Sequence, residues 1–392
     1  MIFRENLPES GVSPNHPRIC YVVSSEITVA AFLREHIRHA ATCYDVTVAV
    51  NTGNPEFLAT LGLKAELQSI AIERKIAPWR DLQALTALYR LFRRRRFELV
   101  HSVSPKAGLL AMLAGRLARV PVRIHTFTGQ VWVTRRGYAR GLLKLMDRLI
   151  ALFATHVLID SPTQREFLLA QRVVSAEKSG VLGKGSVSGV DASRFRPDPQ
   201  ARAAVRQKLG YRDSDVVLLF LGRLNRDKGV IDLAQAFARI AATAQNARLL
   251  VIGPDEDGIQ SSIQASLVNA AAQAQFIAYT GRPEDYMAAA DVFCLPSYRE
   301  GFGTTIIEAA ATGIPAIGSR IYGITDAIDD GTTGLLFDPG DIGQLADAML
   351  RLVSNELLRR EMGERARARA LRDFPAGAIT AELMRFYASA IG

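Results

Sequence analysis

Short apolar runs rich in β-branched residues alternate with longer amphipathic stretches along almost the whole of this 392-residue chain. In the first half the runs fall at 19–23, 46–50, 99–100, 122–126 and 156–159. In the second half they fall at 216–221, 248–252, 275–279, 292–295 and 314–317. Each is bounded by Gly, Pro, Ser or Asp, and each is followed by a segment of helical periodicity. A strand that feeds a helix that feeds a strand builds a parallel sheet covered on both faces. The stretch 184–199 interrupts the rhythm; it is rich in Gly, Ser, Asp and Pro and has no periodicity, as a linker would. The predicted class is therefore α/β, with two Rossmann-like, doubly wound domains at 1–190 and 191–375. Ligands of such sheets bind beyond the carboxyl ends of the strands, so a cleft between the domains is the expected site.

Charge divides the two halves. Residues 1–195 hold 27 Lys and Arg against 15 Asp and Glu, whereas the remainder holds 21 against 24. An anionic partner for the first half is implied. No nucleic-acid motif is present, which leaves an anionic membrane surface or a phosphate-bearing acceptor. Arg136, Arg140, Lys144 and Arg148 recur every four residues on one helical face. With Arg93 to Arg96, this basic stripe is expected to rest on anionic headgroups or to hold a lipid pyrophosphate. Apolar 142–158 carries Lys144, Asp147 and Arg148, so no spanning helix is expected. The first sixteen residues are polar and broken by proline, unlike a signal peptide. Cys20, Cys43 and Cys294 have neither paired nor metal-ligand spacing, and a cytoplasmic setting on the inner membrane face is the expectation.

The densest chemistry lies between Asp291 and Glu308. A buried strand runs into Pro296-Ser297, a loop with Glu300, then Gly301-Phe302-Gly303, and a helix beginning near Thr304 and Thr305. Glycines before a helix let backbone N–H groups approach a ligand, and the helix start carries positive partial charge. This is a seat for a phosphate. Glu308, one turn in, can accept hydroxyls of a ribose, and Glu300 can reach hydroxyls of a sugar. Gly222-Arg223 to Lys228-Gly229 leaves another strand in the same way, so both cations can meet one diphosphate. No Asp-x-Asp pair calls for a metal, and fixed Arg and Lys can supply the positive charge without one.

These motifs resemble the retaining glycosyltransferases of family 4, which have the GT-B fold of two facing Rossmann-like domains. The resemblance implies that Arg223 and Lys228 neutralise the departing diphosphate, and that Glu300 holds the transferred sugar. It implies base contacts at Gly253 and Arg282, and a final helix, 376–392, that crosses back to the first domain. It also implies a reaction-centre residue after the strand at 122–126. Counting from Pro121 gives Thr128, with His125 three residues earlier, and both stand as candidates. Lys106 at a helix start could bind an anionic acceptor group, and Gly189 could turn its N–H towards the cleft. The expected activity is transfer of a hexose or N-acetylhexosamine from a UDP-sugar to a polyprenyl-diphosphate-linked glycan, with no cofactor. A soluble acceptor is the alternative, as is an isomerase resembling UDP-N-acetylglucosamine 2-epimerase. Full retention of Arg223, Lys228, Glu300 and Glu308 argues against a non-catalytic module.

Overall fold

The computed structural model describes residues 16–73 and 77–392; most of the polar N-terminal stretch weighed above as a leader lies outside them. The first sheet contains β1 (Arg18–Val23), β2 (Asp45–Val50), β3 (Glu66–Ser69), β4 (Leu99–Val103), β5 (Val122–Phe127), β6 (His156–Ile159) and β7 (Ser179–Gly180). All pairs are parallel, in the order β3-β2-β1-β4-β5-β6-β7. The second sheet contains β8 (Val216–Leu221), β9 (Ala247–Ile252), β10 (Ala274–Ile277), β11 (Val292–Leu295), β12 (Ala316–Ser319) and β13 (Gly334–Phe337). It too is parallel, in the order β10-β9-β8-β11-β12-β13. Each sheet reverses its strand order once, between β1 and β4 and between β8 and β11. The two domains thus have the GT-B arrangement.

The central strands are buried on both faces, as helices on both sides require. Successive residues of β1 serve opposite cores: Cys20 and Val22 face one, and Ile19, Tyr21 and Val23 the other. Three strands have no counterpart among the apolar runs. β3 reads Glu-Leu-Gln-Ser and is only half covered, β7 has two residues, and β13 lies at an edge. β4 continues past the apolar pair through His101 and Ser102, which are polar yet buried.

The chain passes between the domains twice, at Val190 and Pro375, and the two passages pair as a short parallel bridge. Val190 N donates to Phe374 O at 2.8 Å and Ala376 N to Val190 O at 3.0 Å. The helix Ala376–Ile391 then lies on the first domain, with Leu383 and Tyr387 in its core. Tyr387 Oη donates to Tyr21 Oη at 3.1 Å and also meets His101 Nδ1, whose other nitrogen reaches Thr126 Oγ1 at 2.7 Å. His36 Nε2 donates to Val187 O at 2.6 Å, so its Nδ1 accepts from Thr380 Oγ1 at 2.9 Å. Burial lowers both histidines, His101 to about 3, and keeps them neutral.

Thr380→Val should leave His36 Nδ1 bare and cost about 1–3 kcal/mol in urea unfolding, and Tyr387→Ala should cost about 3–5 kcal/mol. An unchanged midpoint in both would mean that this helix is not part of the first core. The histidine pKa values are depressed in the folded state, so the stability they contribute is full above the ordinary value of 6.5 and is lost as pH falls towards about 3. Melting temperature against pH should show that decline, and His101→Gln should shrink it.

Candidate active site

The reversal between β8 and β11 opens a crevice at the carboxyl edge of the second sheet. The turn after β8 carries a short helical turn, Arg226–Lys228, capped by Asn225, whose Oδ1 accepts from Lys228 N at 3.2 Å. At Gly229 (φ +65°) this turn touches the one leaving β11: an added Cβ would lie 2.0 Å from Pro296 O. That approach puts Lys228 Nζ on Glu300 Oε1, to which Ser297 Oγ donates at 2.8 Å. The sequence named both residues for a ligand; the structure pairs them with each other.

Arg223 also has a protein partner. Its Nη1 lies 2.8 and 2.7 Å from the two oxygens of Glu256, and Asn225 Nδ2 donates to Glu256 Oε2 at 2.9 Å. Sequence reasoning missed Glu256 because it follows β9, and only strand pairing carries it to β8. Gly253 makes that neighbourhood possible, since a Cβ there would lie 1.8 Å from Gly222 O. Its N–H is donated to Ile277 O at 2.9 Å, so Gly253 serves packing. Arg282 forks onto Asp285 at 2.6 and 3.0 Å at the start of its own helix.

Beyond Glu300 the chain turns through Gly303 (φ +81°) into the helix Thr304–Ala311. Thr304 and Thr305 are part-exposed in its first turn, beside its unpaired N–H groups. Glu308 is half-buried, and desolvation raises its carboxyl to about 7, with Arg194 opposing and Glu284 adding. Hydroxyls that donate to it would favour the ionised form. Phe302 is different from expectation. It is 1% exposed, its ring sits 5.1 Å from Phe374, and a Cβ on Gly185 would meet it at 2.9 Å. Its side chain is a plug between the domains and offers no surface to a ligand.

The first domain meets this loop directly. A Cβ on Gly301 would lie 2.6 Å from both Thr128 O and Asp160 Oδ2, and one on Gly129 would lie 3.1 Å from Gly301 N. Of the two reaction-centre candidates, Thr128 is therefore the one at the loop. His125, three residues back on β5, is fully buried, bonded to Ser102 Oγ at 2.9 Å, edge-on to Phe127 and covered by Gly108. Burial lowers it to about 3; it is a packed core histidine turned away from the cleft. Asp160, directly after β6, was not picked out from the sequence, where it is one acid in a strand-to-helix junction. It is 6% exposed and raised to about 7 by burial.

Further along the seam Thr163 donates to Asp326 Oδ2 through N at 3.1 Å and Oγ1 at 2.5 Å, and accepts from Gly323 N at 2.9 Å. Tyr322 stacks on Phe167 at 4.8 Å, and Phe167 on Trp132 at 5.4 Å.

Three first-domain expectations change. Lys106 pairs with Asp81 at 2.5 Å. Gly189 donates its N–H to Ser186 Oγ at 3.0 Å, and a Cβ there would meet Phe374 O at 2.7 Å, so it serves the crossover. The basic stripe on the helix Gly137–Phe153 is partly consumed: Lys144 Nζ donates to Gln171 Oε1 at 2.7 Å, and Arg148 to the carbonyls of Arg172 and Gln171 at 3.1 and 3.3 Å. Arg140 and Lys144 also lie over the Trp132 ring, at 5.8 and 5.2 Å. Solvent meets Arg140 and Arg148 and also Tyr138, Leu142, Leu145 and Leu152, the last four being 100%, 53%, 50% and 64% exposed. Arg136 is exposed just before them. Among the described residues no helix is long and apolar enough to cross a membrane.

Two family descriptions match the chain: glycosyl transferase 4-like domain over residues 29–185 and glycosyl transferases group 1 over 201–369. The Staphylococcus aureus capsular polysaccharide biosynthesis glycosyltransferase CapM is 30% identical over 321 residues, which is 81% of this chain and 83% of that one. An Escherichia coli enzyme, UDP-Gal:alpha-D-GlcNAc-diphosphoundecaprenol alpha-1,3-galactosyltransferase, is 26% identical over 73% of this chain and 74% of its own. Among solved structures, Anabaena HepE in complex with UDP and glucose superposes with a TM-score of 0.80 at 18% identity, covering 95% of this chain and all (100%) of that one.

Proposed function

Since the chain belongs to the group 1 glycosyl transferases and is a GT-B glycosyltransferase, we propose that it moves a hexose or N-acetylhexosamine from a UDP-sugar to a polyprenyl-diphosphate-linked glycan, with retention and without a metal. The observation that carries the donor half is the Lys228–Glu300 contact at the switch point, beside Arg223 and the start of the helix Thr304–Ala311. A donor diphosphate would draw Lys228 and Arg223 from their carboxylates. Glu300, released, would accept hydroxyls of the sugar, and Glu308 those of the ribose. In front-face transfer the acceptor oxygen bonds to the anomeric carbon as its bond to phosphate breaks. The acceptor proton passes to the departing phosphate oxygen, whose charge the two cations stabilise. HepE's complex with UDP and glucose supports the donor class, and the E. coli relative's name supports a lipid-diphosphate acceptor.

Lys228→Ala, Arg223→Ala and Glu300→Ala should each lower turnover roughly 10²–10³-fold with the melting temperature nearly kept. Calorimetry with a panel of UDP-, GDP- and ADP-sugars identifies the donor; near-normal transfer by Lys228→Ala would remove the diphosphate assignment.

Membrane contact is assigned to the helix Gly137–Phe153, by its exposed stripe of Tyr138, Leu142, Leu145 and Leu152 with Arg136 and Arg140 at its start. An apolar stripe with basic neighbours lies in a headgroup layer, the apolar side chains contributing area and the cations attraction to anionic lipid. The protein would then be peripheral on the cytoplasmic membrane face. Leu142→Glu with Leu145→Glu should cut co-sedimentation with phosphatidylglycerol vesicles more than Lys144→Glu, whose Nζ is already bonded. The reverse ranking would restore a purely electrostatic contact.

A further inference from the structure

Asp160 follows β6 directly, beneath the Glu300–Gly301 turn, and the whole of its backbone is fixed. Its N–H meets Phe127 O at 3.2 Å and Gln164 Oε1 at 3.1 Å, and its carbonyl accepts from Ser186 N at 2.7 Å. The side chain is 6% exposed, and Oδ1 has no hydrogen-bond partner. With Thr128 and Gly129 it forms a socket that admits only glycine at 301, because a Cβ there would lie 2.6 Å from Asp160 Oδ2.

We propose that Asp160 is a positioning residue for transfer: its carboxyl seats the Glu300–Gly301 turn as the two domains close, and so fixes where Glu300 meets the donor sugar. This rests on the donor-site reading above. A buried carboxylate with a bare oxygen is costly, so the seated form favours the neutral acid. Burial raises the group to about 7; Val187 N–H, donating to it, opposes the shift and the Glu300 charge adds to it. Glu300 is itself paired with Lys228. On the other side His36 and His101 line a small cavity with Asp160, and burial keeps both neutral. On this proposal opening admits water to Asp160, and closure then takes up a proton there. Closure is strongest below the ordinary carboxylate value of 3.8, weakens as pH rises from there to about 7, and is level above that.

The test uses the full chain with UDP as the probe, its shape followed by small-angle X-ray scattering at low and high pH. The wild type should become more extended as pH rises, and Asp160→Asn, the same shape with no proton to lose, should respond far less. In transfer assays Asp160→Ala should lower kcat about tenfold or more with a smaller change in donor KM, and Asp160→Asn should lose less. Identical pH responses of wild type and Asp160→Asn, or a kcat within twofold for Asp160→Ala, overturn the proposal. If scattering separates wild type from Asp160→Asn while no nucleotide-sugar supports transfer, the seat stands and the donor reading falls.

Discussion

The turn leaving β8 and the turn leaving β11 touch at Gly229 and Pro296, with no room for a Cβ between them. The Lys228–Glu300 pair of the proposed donor site depends on that approach, as the Arg223–Glu256 pair depends on the one between Gly253 and Gly222. The first approach carries Lys228 to Glu300 from 72 residues away in the chain, and it aims the helix after Gly303 into the same crevice. The cost of holding charged side chains close is met by pairing them, Lys228 with Glu300 and Arg223 with Glu256. A ligand that carries both negative charge and hydroxyls can replace each pair without leaving an ion uncompensated, whereas a ligand with only one of these would strand a partner. The proposed selectivity for a sugar joined to a diphosphate rests on that exchange.

The seam between domains is mixed in character. One end is aromatic, through Trp132, Phe167 and Tyr322, and the plug of Phe302 against Phe374 is apolar. Between them lie polar groups: Thr163 with Asp326, and Asp160 under Gly301. Asp147, buried beside Trp132 Nε1 at 2.8 Å, is raised to about 7 by burial, as Asp160 is. A seam of this kind is cheaper to open than a continuous apolar core, because water can satisfy the polar groups it exposes. The helix Ala376–Ile391 behaves differently: Tyr387, Leu383 and Thr380 belong to the first core and keep the second crossing fixed.

Much of the fold was legible because strands buried on both faces must be apolar and β-branched, which wrote β1, β2, β5, β6, β8, β9 and β11 into the chain as short runs. β3 and β7 escaped because edge strands answer to pairing more than to burial, and two or four residues leave no pattern. In the proposed site, Lys228, Glu300, Glu308, Gly301 and Gly303 could be picked out because each stands next to a strand-to-helix junction. Glu256 and Asp160 could not. Their chemistry comes from neighbours distant in sequence, and a lone acid after a strand carries no mark of what will cover it. The helix Gly137–Phe153 shows the same gap. Its four-residue spacing of cations was plain, but which face met the protein depended on Trp132 and Gln171.

The sequence by itself determined two parallel α/β domains, the glycine-bounded turns at the strand ends and the identity of the cations and acids there, because these follow from local periodicity and from residue chemistry at fixed spacing. Only the tertiary structure decided which of those groups face a ligand and which face each other. It turned His125, Phe302 and Gly189 inward and brought Asp160 and Glu256 to the crevice. The physical reason is that burial and pairing are properties of the space between elements. A side chain has a partner, a desolvated environment or an open surface only once separate strands have been laid side by side.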